Sequence, residues 1–143
     1  MRADGSGLRP VARLGRGAVV TDLDWSPDGQ HLAIASWQGV RGCHGYSVCA
    51  LDIATGRLRG VLSAKRIPMA LAWAPTGEAI ACAAYRETRS DDAFNALYLI
   101  PSRGGIPRRI IDEARVPHED GDGEFTWLAW RSLPGEAGER RLP

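Results

Sequence analysis

The chain has 143 residues, of which 44% are hydrophobic and 24% are charged, and this composition is ordinary for one globular domain. Its 18 basic and 17 acidic side chains leave a formal charge of +1, so charge gives no reason to expect nucleic acid or a membrane as partner. The start, MRADGSGLRP, lacks the apolar stretch of a secretory signal, and no apolar run is long enough to cross a bilayer. We therefore expect an unexported chain that is cytoplasmic by default.

Residues 1–14 are predicted to hold a turn and one strand. The segment DGSG at 4–7 has the Gly, Asp and Ser content of a turn, and LRPVARL at 8–14 follows it. We interpret these residues as the end of a unit that precedes the two units described next.

Residues 15–62 are predicted to form a complete unit of four β-strands. The strands are expected within VTDLDW at 20–25, QHLAIAS at 30–36 and the two β-rich runs of YSVCALDIATGRLRGVL at 46–62. Apolar residues recur in steps near two, and Pro27 and Gly29 would break any helical run. The Pro-x-Gly step after Trp25 predicts a tight turn, because proline presets φ and glycine accepts a positive φ.

Residues 63–112 are predicted to repeat the same order of strands. PMALAWAPTG at 68–77 and EAIACAAY at 78–85 match the first half of the unit, and ALYLIPSRGGIPRRII at 96–111 matches the second half. Trp73 follows Trp25 by 48 residues, a spacing typical of repeats with four strands per unit.

The last residues are predicted to start a third unit and then to lose strand character. FTWLAW at 125–130 places Leu128 two residues before Trp130, as in the two preceding units. Residues 113–132 are therefore expected to form a loop between units and the first strand of a further unit. Residues 133–143 are predicted to be a disordered tail.

Strand alternation also predicts how the units pack. It puts a leucine and a tryptophan on one face of the first strand of each unit. These pairs are Leu23 with Trp25 and Leu71 with Trp73. The second strand of each unit alternates small residues, namely Ala33 and Ala35, and Ala81 and Ala83. We expect sheets covered on both faces, with the large side chains of one unit against the small ones of its neighbour.

The repeated motifs resemble those of a known family. WSPDG at 25–29 and LDIATG at 51–56 resemble the repeat of TolB-like β-propellers, which are relatives of the WD-repeat proteins. WAPTG at 73–77 and PSRGG at 101–105 are similar to the same motifs in degenerate form. The resemblance covers residues 4–131.

The resemblance implies an all-β fold, a partial β-propeller with two complete four-stranded antiparallel blades and single strands of the flanking blades. Closed propellers have roughly four to eight blades. The resemblance therefore implies one of three situations. The chain is a fragment of a longer propeller, or it completes a ring as a homo-oligomer, or it persists as an open stack.

The three cysteines leave two interpretations open. Cys43 and Cys49 flank a glycine-containing turn, so they can form a bridge in an oxidising compartment. The odd number of cysteines and the absence of CxxC spacing favour free thiols at both positions, with Cys82 packed in the core.

No catalytic, cofactor or metal site is predicted. GYSVC at 45–49 falls one residue short of GxSxG and lies on a predicted strand, and the acidic HEDGDGE at 118–124 lacks the glycine and the final acid of a calcium loop. The histidines His31, His44 and His118 have no spacing that suggests a triad or a zinc site, and His31 is expected to be exposed. We expect a protein that is not an enzyme.

Binding residues are expected on one rim of the propeller. The loops between the second and third strands share that rim with the connections between units, and loops carry specificity. The candidate rim residues are Trp37, Arg41, His44, Arg86, Arg89, His118 and Asp120. The preferred hypothesis is a non-enzymatic scaffold that binds an unidentified protein or peptide. The alternative is part of the non-catalytic gating propeller of a larger hydrolase similar to prolyl oligopeptidase.

Overall fold

The structure, a computed structural model, describes residues 6–7, 9–37, 40, 45–64, 67–86, 94–115 and 129–130. These residues form eight strands and include no helix. The strands are β1 (Val19–Trp25), β2 (His31–Trp37), β3 (Tyr46–Asp52), β4 (Leu58–Ala64), β5 (Ile67–Trp73), β6 (Ala79–Arg86), β7 (Phe94–Pro101) and β8 (Arg108–Arg115). In the ranges described, there is thus no helix that could cross a membrane.

The eight strands form two four-stranded sheets, in the orders β1-β2-β3-β4 and β5-β6-β7-β8. Every pair of neighbouring strands is antiparallel. This arrangement confirms the all-β class and the grouping of the strands into two successive units of four.

The first turn of each sheet has the same backbone structure. In the first sheet, the Gly29 amide donates to the Ser26 carbonyl at 2.8 Å, and Gly29 has a φ of 67°. In the second sheet, the Gly77 amide donates to the Ala74 carbonyl at 2.8 Å, and Gly77 has a φ of 77°. The two Pro-x-Gly turns therefore form as predicted, because only glycine adopts this φ without steric cost.

Both first strands also carry an irregularity at the same place. The register shifts between Val20 and Asp22 in β1 and between Pro68 and Ala70 in β5. Such a bulge turns the following side chains and increases the local twist. The two units thus match in their irregularities as well as in their strands.

The main core lies between the two sheets. The first sheet contributes mostly small side chains, Ala33, Ala35, Val48, Ala50 and Val61. The second sheet contributes mostly larger ones, Leu71, Trp73, Ile80, Cys82, Ala84 and Ile100. The two sheets therefore stack with large side chains against small ones, as predicted for neighbouring units.

The outer face of the first sheet is only partly covered. Leu23 and Trp25 are 51% and 55% exposed, whereas the equivalent Leu71 and Trp73 are 3% and 8% exposed. A smaller cluster covers another part of this face, with Leu14 and Ala18 packed against the buried Val40 and Cys49 and the partly buried Leu58. One leucine and tryptophan pair is thus buried and the other faces solvent, so the first sheet does not meet the expectation that both faces are covered.

The structure describes only part of the two chain ends, where strands of the flanking units are predicted. Residues 9–14 belong to neither sheet, so their assignment to a preceding unit stays a prediction. Of the predicted third unit, residues 129–130 are described, and they lie in no strand. The Trp130 Nε1 donates to the Ala72 carbonyl at 2.9 Å. Residues 116–128 and 131–143 lie outside the described residues.

The free-thiol prediction is wrong for Cys49. Cys49 is buried and disulfide-bonded, while Cys82 is buried and free, as predicted. Val40, from the connection between β2 and β3, packs in one cluster with Cys49, so this connection returns over β3. That return depends on tertiary packing and cannot be inferred from the number and spacing of cysteines. Cys43 lies outside the described residues.

Candidate functional site

The structure describes two of the seven residues predicted to lie on the binding rim. Trp37 ends β2 and pairs with Val19 and Tyr46, and its side chain is 36% exposed. Arg86 ends β6. The remaining five residues, Arg41, His44, Arg89, His118 and Asp120, lie outside the described residues. The described residues therefore do not test whether the seven lie together, and this rim stays a prediction.

The acidic segment 118–124 also lies outside the described residues. Among the residues that are described, no group of three or more His, Cys, Asp or Glu side chains could hold a metal ion.

A groove of about 260 Å³ opens between the two sheets at the end opposite to Trp37. We call it the turn groove, because most of its residues lie in the turns β1–β2, β5–β6 and β7–β8. Its lining residues are Ser26, Pro27, Asp28, His31, Arg59, Trp73, Thr76, Gly77, Ser102 and Arg103. Sequence reasoning singled out none of them as a binding residue.

Aromatic rings form one side of the turn groove. The Trp73 Nε1 donates to the Gly77 carbonyl at 3.1 Å, so the polar atom of the indole is satisfied within its own turn. The His31 ring lies 6.3 Å from the Trp73 ring, centroid to centroid, at an angle of 36°. His31 starts β2 and is half-buried, so the prediction that it is exposed is wrong. The next sheet covers it, and a strand-start position in the sequence does not reveal that contact.

Two arginines bring positive charge to the turn groove. The Arg59 side chain crosses from β4 to the second sheet, where its Nη2 donates to the Ser102 carbonyl at 2.7 Å. Arg103 follows Ser102 in the β7–β8 turn, and its side chain is exposed. Within the described residues, Arg103 makes no side-chain hydrogen bond. The groove therefore has one guanidinium that is held in place and one that extends from an exposed turn.

Among the described residues that line the turn groove, Asp28 supplies the one carboxylate, and this group is hydrogen-bonded within its own turn. Asp28 accepts hydrogen bonds from the Ser26 hydroxyl at 2.5 Å and from the Gln30 amide at 2.9 Å. These hydrogen bonds, and first of all that from Ser26, hold the pKa of Asp28 below its ordinary value. The Ser26 hydroxyl in turn accepts from the His31 amide at 2.8 Å. Asp28 is thus ionised and already partnered, and it does not neutralise the two arginines by direct pairing.

Two further carboxylates set the position of one sheet against the other. Asp22 accepts from the Leu71 amide at 2.6 Å, and Asp24 accepts from the Trp73 amide. Thr21 adds a hydrogen bond from its hydroxyl to the Pro68 carbonyl at 2.5 Å. These contacts join β1 to β5 and so fix the sheet separation from which the turn groove results.

Sequence reasoning missed these two aspartates, although a signal was present. The first unit has Asp22 and Asp24 at three and one residues before its tryptophan, where the second unit has Ala70 and Ala72. Carboxylates at alternate positions of an otherwise apolar strand indicate a polar partner, which here is the backbone of β5.

The arrangement of the turn groove is suited to binding and offers an anionic group two guanidiniums next to an apolar indole. Comparison with known proteins adds no assignment: no family model matches the chain, and no curated protein matches it in sequence. The function proposed below therefore rests on the two sheets and the turn groove.

Proposed function

We propose that the chain is a segment of a β-propeller and acts as a non-catalytic scaffold that binds a protein or a peptide. Two successive four-stranded sheets support the propeller, since blades are four-stranded sheets around a common axis. The hydrogen bonds that Asp22 and Asp24 accept from the β5 amides support it further, because they put the first strands of the two sheets side by side.

The single observation that carries the proposal is the unequal exposure of two equivalent pairs. Leu71 and Trp73 are buried against the first sheet, whereas Leu23 and Trp25, at the same places in their own sheet, face solvent. In a propeller, each of these pairs packs against the preceding blade. We infer that a further blade, from a longer chain or from another copy, covers Leu23 and Trp25.

The binding role follows from the ends of the sheets. Blades present turns and loops at both rims, and such segments are where proteins with rigid scaffolds place their specificity. The described rim contains the turn groove, where Asp28 and the Trp73 Nε1 are hydrogen-bonded inside the fold and Arg103 is charged and exposed. An arrangement of this kind favours recognition of a partner over chemistry on a substrate.

A selection from a displayed library of random peptides tests the function. The purified chain is immobilised through a terminal tag, and the chain unfolded in denaturant and immobilised in the same way is the control. We expect the folded chain to enrich a peptide family that then binds the free chain in solution. If no family is enriched over the unfolded control, the scaffold function is wrong.

A further inference from the structure

We propose that the turn groove binds an acidic side chain of an extended peptide, and that Arg59 and Arg103 are the residues that bind its carboxylate. This inference rests on the proposed function and adds the location of the site and the chemistry of the partner. Three observations carry it: the charge of the lining, the position of the Arg59 guanidinium and the size of the groove.

The charge of the turn groove favours an anion. The described lining contains the guanidinium groups of Arg59 and Arg103 and the carboxylate of Asp28. This carboxylate already accepts hydrogen bonds from the Ser26 hydroxyl and the Gln30 amide. Arginine pairs with carboxylates through two parallel hydrogen bonds, and such charge-assisted bonds are among the stronger ones in proteins. The uncommitted charge at this site is therefore positive.

The Arg59 side chain is positioned in advance for such a ligand. Its hydrogen bond to the Ser102 carbonyl uses one nitrogen of the guanidinium, which has five N–H donors in a planar fork. Among the described residues, Arg59 makes no other side-chain hydrogen bond. The contact with Ser102 thus orients the fork and leaves other donors for a carboxylate.

The size and walls of the turn groove favour a peptide side chain. Its volume of about 260 Å³ lies below the range of roughly 300–1,000 Å³ that is typical of small-molecule pockets. The Trp73 indole and Pro27 supply apolar surface next to the arginines, which suits the methylene groups of a glutamate. The groove is open at the rim, so an extended chain can continue on either side of the bound side chain.

The test is a titration of the full chain, labelled with ¹⁵N, with the peptide Ac-Gly-Glu-Glu-Phe-Gly-NH2. The matched control peptide has glutamine in place of both glutamates. The indole N–H signal of Trp73 serves as reporter, because this group lies in the groove and is hydrogen-bonded to Gly77. We expect the glutamate peptide to shift this signal in a saturable way and the glutamine peptide to leave it unchanged.

Three variants make the test specific. Arg59→Gln and Arg103→Gln should each weaken binding by about tenfold, as expected for loss of a charge-assisted contact. Arg57→Gln removes the same charge from an exposed residue outside the groove and should change the affinity less than about twofold. Arg103→Gln breaks no hydrogen bond among the described residues, so its effect separates loss of binding from loss of fold.

Three other outcomes of these experiments would overturn the inference. Equal weakening by all three variants would mean general attraction by surface charge. Inorganic phosphate or glutarate that shifts the Trp73 signal at lower concentration than the peptide would identify a site for small anions. If the displayed library yields binders but the glutamate peptide does not bind, the location and chemistry proposed here are wrong while the scaffold function stands.

Discussion

At the scale of single residues, Asp22 and Asp24 connect the two sheets through their carboxylates. Each carboxylate accepts one hydrogen bond from β5 and one from the next amide of its own strand, Leu23 at 2.8 Å and Trp25 at 3.0 Å. Both oxygens of each group are thereby used. A hydrogen bond to a charged acceptor contributes more to stability than one between neutral groups.

Replacing Asp24 should therefore destabilise the chain. Asp24→Ala leaves the Trp73 amide without its acceptor and should lower the free energy of unfolding by about 1–3 kcal/mol, measured by urea titration. Asp24→Asn keeps one acceptor oxygen and should cost less. Glu78→Ala, at an exposed turn position, is the control and should stay within about 0.5 kcal/mol of the parent chain. If Asp24→Ala is as stable as this control, the carboxylate does not have the structural role described here.

A second residue-scale prediction concerns pH. The Ser26 hydroxyl, followed by the Gln30 amide, lowers the pKa of Asp28 below its ordinary 3.8. A carboxyl with a lowered folded pKa stabilises the fold above its unfolded pKa, and this stabilisation is lost as pH falls through the folded pKa. The melting temperature should thus fall below about pH 4, and less steeply in Asp28→Asn. If the melting temperatures of the parent chain and the variant change equally with pH between pH 2.5 and 7, this expectation is wrong.

The cysteines give a third prediction. Burial, and secondarily the charge of Asp22, raises the pKa of the Cys82 thiol to about 12, so little reactive thiolate forms. In the folded chain, iodoacetamide at pH 8 should leave Cys82 unmodified. After unfolding without reductant, mass mapping should find Cys82 alkylated and Cys49 still protected by its disulfide. Alkylation of Cys49 under these conditions would show that the disulfide is absent from the purified protein.

At the scale of secondary-structure elements, β1 and β5 are equivalent strands with different surroundings. Each ends at a tryptophan, carries a bulge after its second residue and runs into a turn with a glycine of positive φ. Yet Trp73 is packed between the sheets and Trp25 is more than half exposed. The energetic weight of the two tryptophans should therefore differ strongly.

Truncation of the two tryptophans measures this difference. Trp73→Ala should lower the free energy of unfolding by about 3–5 kcal/mol, the usual cost of removing a large buried aromatic. Trp25→Ala should cost less than about 1 kcal/mol when the isolated chain is monomeric. Urea titration of both variants at the same protein concentration provides the comparison. Similar losses in the two variants would mean that the two faces are equally covered in solution.

Elements were more predictable from the sequence than contacts between them. The spacing of apolar residues and the Pro-x-Gly steps depend on local preference and on period, so they predict β1, β2 and the turn between them directly. The hydrogen bonds that Asp22 and Asp24 accept from β5 could not be predicted in the same way, because the donor amides lie some 50 residues further along the chain. The turn groove is harder still, since Arg59 and Ser102 meet only when two sheets stack.

At the scale of the whole molecule, the two sheets form a stack whose first face remains partly open. The exposed Leu23 and Trp25 lie on one side of the first sheet, together with the partly exposed Val20. Exposed apolar patches on soluble domains commonly mark interaction sites. The proposed further blade would cover this patch in the way that the first sheet covers Leu71 and Trp73.

Light scattering should detect the open face in the isolated chain. We expect the mean mass to rise with concentration, because the patch can pack against another copy when no further blade is present. Trp25→Asp should suppress the rise, and Ile106→Asp, which places the same charge on a side chain that is 92% exposed in the β7–β8 turn, should leave it unchanged. A monomer at every concentration, for the parent chain and both variants, would argue against this packing surface.

The carboxylates of β1 also bear on aggregation. β1 and β5 each form one edge of their sheet, with β4 and β8 at the opposite edges, and an unpaired edge presents amide donors to which a foreign strand can add. Asp22 and Asp24 occupy four of these donors, on Leu23, Trp25, Leu71 and Trp73. A strand from another molecule that approached either edge would meet amides already bonded and two negative charges. The same two side chains that hold the sheets together thus protect the β1 and β5 edges from uncontrolled strand addition.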